Sequence, residues 1–310
     1  MRRRKLLSLA DLAYLIQLPL IGLAAWILPQ PAWPGLARRI GSVTRRSGVR
    51  DLAERLSQIP DPPLDPATPR VLAERLNAHR IEHYFQVMRA YRPGGGWHPD
   101  VALSGRAHLD QALADGQGAI LWIAHFVYNG LLPKMVLAQA GYPIAHLSRP
   151  EHGFSKTAFG IRVLNPVRTV VENRYLDGRI MIRNGHEDRA VRQAARRLAG
   201  GGIVSITAGA WEGRRVLQVP CMGGTFPLAT GGPALARLSG APLLPVFVAR
   251  PDDTRAEHFD LMIDAPIPRP EGVSRAQAIA AMCRTYGQRL QSFAQSHPDQ
   301  WRGWNYLSRA

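Results

Sequence analysis

One histidine follows a continuously apolar run and has the chemistry of a catalytic base. In the segment "ILWIAHFVYNG", His125 comes directly after residues 119–124. Such a run is too short for a helix and predicts a strand that is buried on both faces, as in parallel sheets. Ligands bind at the carboxyl ends of strands in open α/β sheets. His125 is therefore a candidate site residue, and the alternative is a histidine that only caps a helix or sits under a loop.

Three other segments contain residue types that bind metals or phosphates. His186, Glu187 and Asp188 are adjacent, but they lie at a predicted helix start, where the helix dipole favours acidic residues. The glycines of residues 199–203 precede a strand, which is the reverse of a dinucleotide fingerprint. Residues 223–232, "GGTFPLATGG", lack the Gly-Lys-Ser/Thr ending of a phosphate loop. We predict that both glycine-rich segments are turns, and we expect no metal and no cofactor.

Strands and helices that would position His125 alternate from about residue 101 onwards. Strands are predicted over residues 120–124, 144–147, 203–207, 243–249 and 259–263, and helices over residues 71–91, 131–140, 187–198, 232–238 and 274–296. This alternation without an internal repeat predicts one α/β domain behind a helical N-terminal arm.

The helix predicted over residues 187–198 shows how the basic residues are distributed. Its buried stripe is predicted to be Val191, Ala194, Ala195 and Leu198, which leaves Arg189, Arg192 and Arg196 on the solvated face.

The N-terminal 30 residues combine four cations with an apolar run. Residues 6–28 are mostly apolar, which is close to the ~20 residues needed to cross a bilayer. Asp11, Gln17 and Pro19 interrupt the run. We expect an uncleaved anchor helix that inserts into or lies along a membrane, with the cations on the cytoplasmic side. A cleaved signal peptide is the alternative, but no small-residue cleavage site is evident.

The net charge and the cysteine content limit which classes of partner and which compartment are expected for this chain. The chain has 39 Lys and Arg against 23 Asp and Glu, a formal charge of +16, which favours nucleic acid, acidic protein or anionic lipid. Helix-turn-helix, aromatic RNA-binding and zinc-finger patterns are missing from the sequence, so nucleic acid is not expected. Cys221 and Cys283 are the two cysteines, which excludes a disulfide scaffold and suits a reducing compartment.

Four segments together resemble a known family. They are "GAILWIAHFVYNG", "HLSRP", "GGIVSITAGAWEGRRVLQVPCMGGTFPLATGGPALARLSGAPLLPVFVAR" and "HPDQWRGWNYLSR". In order and spacing they resemble the late (lauroyl/myristoyl) acyltransferases of lipid A biosynthesis, within the lysophospholipid acyltransferase-like group. The resemblance implies a mixed, largely parallel sheet flanked by helices, as in glycerolphosphate acyltransferase-like folds. We expect an anchor over residues 1–30, a helical arm and Pro-rich linker over 31–100, and the α/β domain over 101–310.

The family motif pairs a histidine with an acidic residue five positions later. In this sequence the histidine is His125, and the fifth residue after it is Gly130. A carboxylate in that position orients the imidazole, as in a catalytic triad. Candidates to replace it are Glu151, Asp188 and Glu212. A second departure is "ITAGAWEG", residues 206–213, where the family has an aspartate-containing turn.

The resemblance implies transfer of a fatty acyl group from an acyl carrier protein or coenzyme A thioester to a hydroxyl or amine of an anionic lipid or glycolipid. His125 would be the general base, and Arg149 or backbone N–H groups would stabilise the oxyanion. A structural salt bridge is the alternative role for Arg149. Asn129, Thr225 and Thr230 are candidate substrate contacts, although threonines more often close turns. The location implied is the cytoplasmic face of the inner membrane. The alternative function, motivated by Gly130, is a catalytically impaired protein that binds lipid or carrier protein.

Overall fold

The computed structural model describes residues 5–59, 68–183, 185–209, 215–251 and 255–309. Within these ranges the helices are α1 (Leu9–Ile27), α2 (Trp33–Val43), α3 (Arg46–Gln58), α4 (Thr68–Tyr91), α5 (Arg106–Ala114), α6 (Leu132–Gln139), α7 (Asn165–Asn173), α8 (Glu187–Ala199), α9 (Gly231–Ser239) and α10 (Arg275–Ser296). The strands are β1 (Asp100–Ser104), β2 (Ala119–Ala124), β3 (Ile144–Ser148), β4 (Gly178–Met181), β5 (Ile203–Ala208), β6 (Val216–Cys221), β7 (Gly224–Ala229), β8 (Leu243–Ala249), β9 (His258–Ile263) and β10 (Ser308–Arg309).

A seven-stranded sheet forms the centre of the fold, in the order β1-β9-β8-β2-β5-β3-β4. From β8 to β4 the neighbouring strands run parallel, whereas β9 is antiparallel to β8 and parallel to β1. The prediction of a mixed, largely parallel sheet flanked by helices is confirmed. Because β2, β3 and β5 are parallel, their carboxyl ends meet at one edge of the sheet, and side chains that follow them converge there.

The central strand β2 is buried along its whole length, as predicted from its continuous apolar run. On one face, the ring of Trp122 lies 4.0 Å (between centroids) from the ring of Tyr286 in α10. Gly232 of α9 approaches the same indole so closely that an added Cβ would lie 3.2 Å from it. Each apolar side chain fully buried in this way contributes roughly 1.5–3 kcal/mol. The strand that precedes His125 is therefore held rigidly.

A second, three-stranded sheet in the order β10-β7-β6 corrects one prediction. The segment predicted as a turn from its glycines is strand β7, which pairs with β6 through the tight turn at Met222 and Gly223. Phe226 and Leu228 are buried, while Thr225 is only partly buried. This alternation is the period of two that a strand requires. Because glycines lie at both ends of this short alternation, the segment was predicted to be a turn.

The remaining predicted elements are present, with boundaries shifted by a few residues. Strands β1, β4, β6 and β10 were not predicted, because each is partly or fully exposed. In α8 the buried residues are Ala190, Ala194 and Leu198. The predicted Val191 is instead exposed along the wall of a cavity, and Ala195 is only partly buried, so the stripe was wrong at these two positions. The arginines predicted to point outward, Arg189, Arg192 and Arg196, are exposed. Cys221 and Cys283 are buried free thiols.

Helix α1 packs along α4 with a face of small residues. Gly22 and Ala25 are buried, and the indole N–H of Trp26 donates to the carbonyl of Met88 over 2.7 Å. Leu9, Ile16, Leu20, Leu23 and Ile27 are exposed on the opposite face. Among the described residues, α1 is the one helix that is long and apolar enough to cross a membrane, judged by length and composition.

Asp11, which interrupts the apolar run in the sequence, is a buried residue in the first turn of α1, where it takes part in capping the helix. Its carboxylate accepts from the backbone N–H of Ser8 over 2.7 Å, and Asp11 N–H donates to the Ser8 hydroxyl, which closes a capping box. The hydroxyl of Thr157 donates to the same carboxylate over 2.8 Å. The start of α1 is therefore joined to the loop that precedes the π-helical turn 160–164.

A buried polar network fixes the C-terminal segment on α4. Arg250 donates to Glu82 over 2.6 Å and lies 3.0 Å from His79 Nδ1. The other ring nitrogen of His79 lies 3.3 Å from Asp299, and Gln300 exchanges two 2.8 Å hydrogen bonds with the backbone of Arg250. These contacts position the 3₁₀ turn of residues 302–305 next to the carboxyl end of β2.

Candidate active site

His125 lies at the carboxyl end of β2, as predicted, and is 7% exposed. Its carbonyl accepts the backbone N–H of Arg302 over 3.1 Å, and Phe126 forms an antiparallel bridge with Trp301. The imidazole meets the ring of Tyr306 edge to face, with centroids 6.4 Å apart. The backbone of His125 is thus held between β2 and the C-terminal turn, while its ring faces a cavity.

The charges around His125 are cationic. Burial lowers the pKa of His125 well below 6.5, and the guanidinium groups of Arg302, Arg168 and Arg80 lower it further. The imidazole is consequently neutral at physiological pH, which is the protonation state of a general base.

Gly130, at the position of the motif acid, has ordinary right-handed backbone angles of φ −76° and ψ −55°. A side chain there is not resisted by the backbone, because only a positive φ would favour glycine. A Cβ at this position would instead contact Nη2 of Arg168. The ring of His83 lies behind, with Nε2 at 3.5 Å from the same point. A guanidinium thus occupies the place where a motif carboxylate would begin.

A buried carboxylate, Glu172 of α7, lies at the centre of the basic residues. Its oxygens are 2.8 Å from Nε of Arg168, 3.0 Å from Nη2 of Arg179, 3.1 Å from Nζ of Lys134 and 2.8 Å from Nε2 of His152. Burial alone would raise the pKa of Glu172, but the contacts with His152, Lys134 and Arg168 hold it well below 4.5. Glu172 is therefore ionised and binds four groups at once.

Lys134 and His152 are themselves shifted by burial. Desolvation lowers the pKa of Lys134 to about 8, although Glu172 opposes this, and its ammonium also donates to the carbonyl of Gly130. Burial lowers the pKa of His152 to about 4. The neutral ring of His152 donates its Nε2 proton to Glu172. These contacts connect the residue at the motif-acid position to the buried carboxylate.

One cavity of about 520 Å³ brings most of the predicted site residues together. Its lining includes His125, Asn129, Arg149 and Thr230. Asn129 is buried in the 3₁₀ turn that follows His125, and Thr230 precedes α9 with its hydroxyl 3.3 Å from the carbonyl of Arg215. Thr225 is not part of this lining, because it pairs with Ser308 in the ladder between β7 and β10.

The acidic residues suggested as replacements for the motif acid are separated in the structure. Glu151 lines the cavity, next to Arg149 at the end of β3. Asp188 is exposed in the first turn of α8. Glu212 lies outside the described residues, as do residues 210–213 of the departing segment 206–213. Within the described residues, no group of three or more His, Cys, Asp or Glu side chains is arranged to hold a metal ion.

The cavity has two chemically different parts. Besides His125 and Arg149, basic side chains line it: Lys134, His152, Lys156, Arg168, Arg215 and Arg302. Apolar side chains between β3, β5, α8 and α9 form another part: Leu147, Ile182, Ala190, Val191, Ala194, Ile206 and Leu235. The sequence did not locate this apolar part, because its residues come from β3, β5, α8, α9 and the segment after β4.

Several site residues were not predicted from the sequence. Glu172, Arg168, Lys134, His152 and Arg302 carry charges or ring nitrogens into the cavity or its wall. The i,i+4 spacing of Arg168 and Glu172 was a readable signal for a helical ion pair. Their proximity to position 130 depends on how α7 packs on α4 and was not visible in the sequence.

The sequence matches the family model described as bacterial lipid A biosynthesis acyltransferase over residues 75–304. The chain belongs to this family. The match begins within α4 and ends in the turn that carries Arg302, so it includes all of the strands from β1 to β9 and all of the cavity lining except Tyr306. The family is one of acyltransferases, in agreement with the resemblance carried by the four segments.

The fold is also similar to a solved structure, the 1-acyl-sn-glycerophosphate (LPA) acyltransferase PlsC from Thermotoga maritima. The similarity covers 90% of this chain and 96% of that chain at 15% sequence identity, with a TM-score of 0.37. The comparison with curated proteins gave no significant match.

Proposed function

We propose that this protein is a membrane-associated acyltransferase that transfers a fatty acyl group from an acyl carrier protein or coenzyme A thioester to a hydroxyl or amine of an anionic lipid or glycolipid. The observation that carries the proposal is the cavity, in which a neutral histidine, basic side chains and an apolar wall meet. The family supplies the reaction class. The donor, the acceptor and the residue roles are those that the family resemblance implies, and the lining of the cavity is compatible with them.

His125 acts as the general base. Its imidazole accepts the proton of the acceptor hydroxyl while the hydroxyl oxygen attacks the thioester carbonyl carbon. The carbon–sulfur bond then breaks, and the thiol leaves with the proton that the imidazole returns. A positioned general base contributes roughly 10²–10⁴-fold to the rate. Arg149 at the end of β3 is our candidate for stabilising the oxyanion, since it lines the same cavity.

The two parts of the cavity fit the two substrates. The apolar side chains from β3, β5, α8 and α9 accept the acyl chain, and the basic part accepts the charged groups of donor or acceptor. Asn129 and Thr230 are our candidate substrate contacts, since both line the cavity. Thr225 remains a predicted contact that would have to act from outside the cavity lining.

Membrane association follows from the N-terminal segment. The outward face of α1 is apolar, and arginines 38, 39, 45, 46, 50 and 55 of the neighbouring helices and turn are exposed. An apolar face and adjacent cations bind an anionic membrane surface additively. We propose the cytoplasmic face of the inner membrane as the location, with residues 1–30 as anchor, 31–100 as arm and 101–310 as the transferase domain. Because α1 is joined to the loop of Thr157, the anchor would hold the cavity near the lipid surface.

The alternative is a protein that binds lipid or carrier protein without transferring the acyl group. Gly130 and the guanidinium of Arg168 beside it favour this alternative, because the imidazole lacks the carboxylate of the family motif at that position.

One assay distinguishes the two functions. Purified protein is incubated with acyl carrier protein loaded with acyl chains of different lengths and with a bacterial lipid extract, and acylated lipid is measured by mass spectrometry. We expect transfer, and we expect His125→Ala to lower it at least about 10²-fold without loss of folding. His98→Ala, at an exposed histidine before β1, is the matched control. Full turnover in folded His125→Ala protein would overturn the catalytic role, and no transfer with any chain would favour the binding-only alternative.

A further inference from the structure

Three arginines from separate elements place positive charge near His125. Arg80 belongs to α4, Arg168 to α7, and Arg302 to the C-terminal 3₁₀ turn. Arg302 and Arg168 line the cavity together with His125. The backbone of Arg302 is bonded to the carbonyl of His125, and Arg168 contacts the position of a Gly130 side chain. The guanidinium of Arg168 therefore lies where the motif places a carboxylate, and Arg302 lines the same cavity.

These arginines carry more positive charge than the surrounding carboxylates neutralise. Arg168 binds Glu172, but Glu172 also binds Lys134, His152 and Arg179. In the part of the chain that the structure describes, neither Arg80 nor Arg302 forms an ion pair. Burial lowers the pKa of Arg302 to about 10, and the nearby charges of Arg80 and Arg168 contribute to this. Arg80 and Arg302 are only partly buried, but Arg302 and Arg168 line one cavity, and a cavity lined by charges of one sign favours a bound anion.

A carboxylate is the anion that the arrangement best fits. The planar guanidinium fork binds carboxylates in a bidentate manner, and the motif supplies one carboxylate at the position where this chain has Gly130. An anion held by Arg168 and Arg302 would also offset the charges that lower the pKa of His125. The anion and the proton acceptor would then lie side by side in one cavity.

We propose that Arg168 and Arg302 form a carboxylate-binding subsite beside His125, and that the acyl acceptor is a hydroxy or amino acid derivative whose own carboxylate replaces the carboxylate missing at Gly130. The inference rests on the proposed acyl transfer for its meaning in the reaction. The acceptor's hydroxyl or amine lies a few bonds from its carboxylate, so that Arg168 and Arg302 hold the acid while His125 faces the nucleophile. An acceptor without the acid leaves the arginine charges unbalanced.

Binding without an acyl donor tests the subsite independently of catalysis. The full chain is titrated calorimetrically with 3-hydroxydecanoate, its methyl ester and 3-hydroxydecyl phosphate, all below their critical micelle concentrations. We expect the acid to bind at least about tenfold more tightly than the ester, because hydrogen bonds to a charged group contribute at least about 1.4 kcal/mol, the difference to which this ratio corresponds. Equal binding of acid and ester would overturn the proposal, and tighter binding of the phosphate would assign the arginines to a phosphate group instead.

Variants of Arg302 locate the binding. Arg302→Gln should abolish the preference for the acid over the ester, and Arg302→Lys should retain part of it. Neither change removes an ion pair among the described residues, so we expect folding to be preserved, with the melting temperature unchanged or higher. Arg192→Gln, at an exposed arginine of α8, should leave the preference unchanged. An acid preference that survives Arg302→Gln would overturn the proposed subsite.

Turnover is measured separately with acyl carrier protein as donor. Transfer to the acid but not to the ester supports the inference, and efficient transfer to the ester overturns it. Binding of the acid that depends on Arg302, without transfer from any donor, would contradict the proposed acyltransferase function while leaving the carboxylate subsite in place.

Discussion

The guanidinium of Arg168 occupies the space into which a side chain at Gly130 would extend. The family motif places a carboxylate at this position, five residues after the histidine, so the local charge is reversed from negative to positive. Since the backbone of Gly130 is in the right-handed region, its conformation would accept another residue. The exchange at position 130 is thus a change of electrostatics around His125 and is not required by the chain geometry.

Restoring the acid should change which acceptors are used. In Gly130→Glu, the new carboxylate meets the tip of Arg168, a long side chain that can rotate away, and forms an ion pair with it. The added negative charge raises the pKa of His125. We expect transfer to 3-hydroxydecanoate methyl ester to increase, and transfer to the free acid to fall at least about tenfold, because the acid must displace a charged partner.

Gly130→Gln is the control for the size of the side chain. It has nearly the same shape as glutamate but no charge, so the acceptor preference should not reverse. If the glutamine and glutamate variants behaved alike, the electrostatic explanation of position 130 would be wrong. Melting temperatures of both variants show whether the fold tolerates the longer side chain.

Glu172 should be essential for stability. In Glu172→Gln, the side chains of Lys134, Arg168 and Arg179 lose their shared counter-charge within a buried cluster. Breaking a buried ion pair from one side costs roughly 3–5 kcal/mol. We expect a loss of this size in the free energy of unfolding, measured by urea denaturation.

Glu74→Gln is the comparison for Glu172. The pair of Arg70 and Glu74 is largely solvent-exposed on α4, and such pairs contribute at most about 1 kcal/mol. A similar loss in both variants would mean that the charge of Glu172 has no special structural role.

Lowering the pH should begin to destabilise the protein near pH 6.5, well above the pH range in which its carboxylates become protonated. Burial lowers the pKa of His83 to about 3 and that of His152 to about 4, from 6.5. Below pH 6.5 the unfolded chain binds protons that these two neutral histidines in the folded chain do not. These histidines therefore do not reduce the free energy of unfolding above pH 6.5. As the pH falls from 6.5 towards 4, the free energy of unfolding decreases by up to about 1.4 kcal/mol per pH unit for each histidine.

Urea titrations between pH 7.5 and 5 measure this slope. His83→Leu removes one of the buried neutral histidines, which also include His125, and should reduce the slope by about 1.4 kcal/mol per pH unit below pH 6. A slope that is the same with and without His83 would show that this ring is protonated in the folded protein.

Local patterns explain how much of the fold the sequence revealed. The apolar run before His125 and the three-to-four-residue repeat of α8 are properties of contiguous residues, and both elements are where they were predicted. Strand β7 was mistaken for a turn because its alternation covers only a few residues between glycines. The exposure of Val191 in α8 was not predicted either. An apolar residue that lines a cavity fits the helical periodicity as well as a buried residue does.

The site was only partly predictable, for a different reason. His125, Asn129, Arg149 and Thr230 follow strand ends or precede a helix, and parallel topology brings such positions together. Glu172 gave no such signal, because its four partners come from α6, α7, β4 and the loop after β3. Contacts of this kind depend on packing between elements that are distant in the chain.

The outward face of α1 should determine membrane binding. Ile16, Leu20 and Leu23 are more than half exposed on this face, whereas Gly22 and Ala25 pack on α4. Replacing the three exposed residues with glutamine therefore changes the lipid-facing surface and leaves the contact with α4 in place. Each apolar side chain buried in lipid contributes on the order of 1.5 kcal/mol, so binding to anionic vesicles should weaken by more than about tenfold.

Glutamine at Val71, Leu238 and Val273, three apolar residues exposed on other surfaces, is the matched control and should leave vesicle binding unchanged. The remaining vesicle binding of the α1 variant should depend on the exposed arginines of α2, α3 and the turn between them. This binding should disappear as the salt concentration increases from about 0.05 to about 0.5 M, because the Debye length then shortens to a few ångströms. Sedimentation with vesicles measures both effects. If the α1 variant still sedimented fully with vesicles at high salt, another apolar surface would have to be the anchor, since neither the helix face nor the arginine charge could then account for the binding.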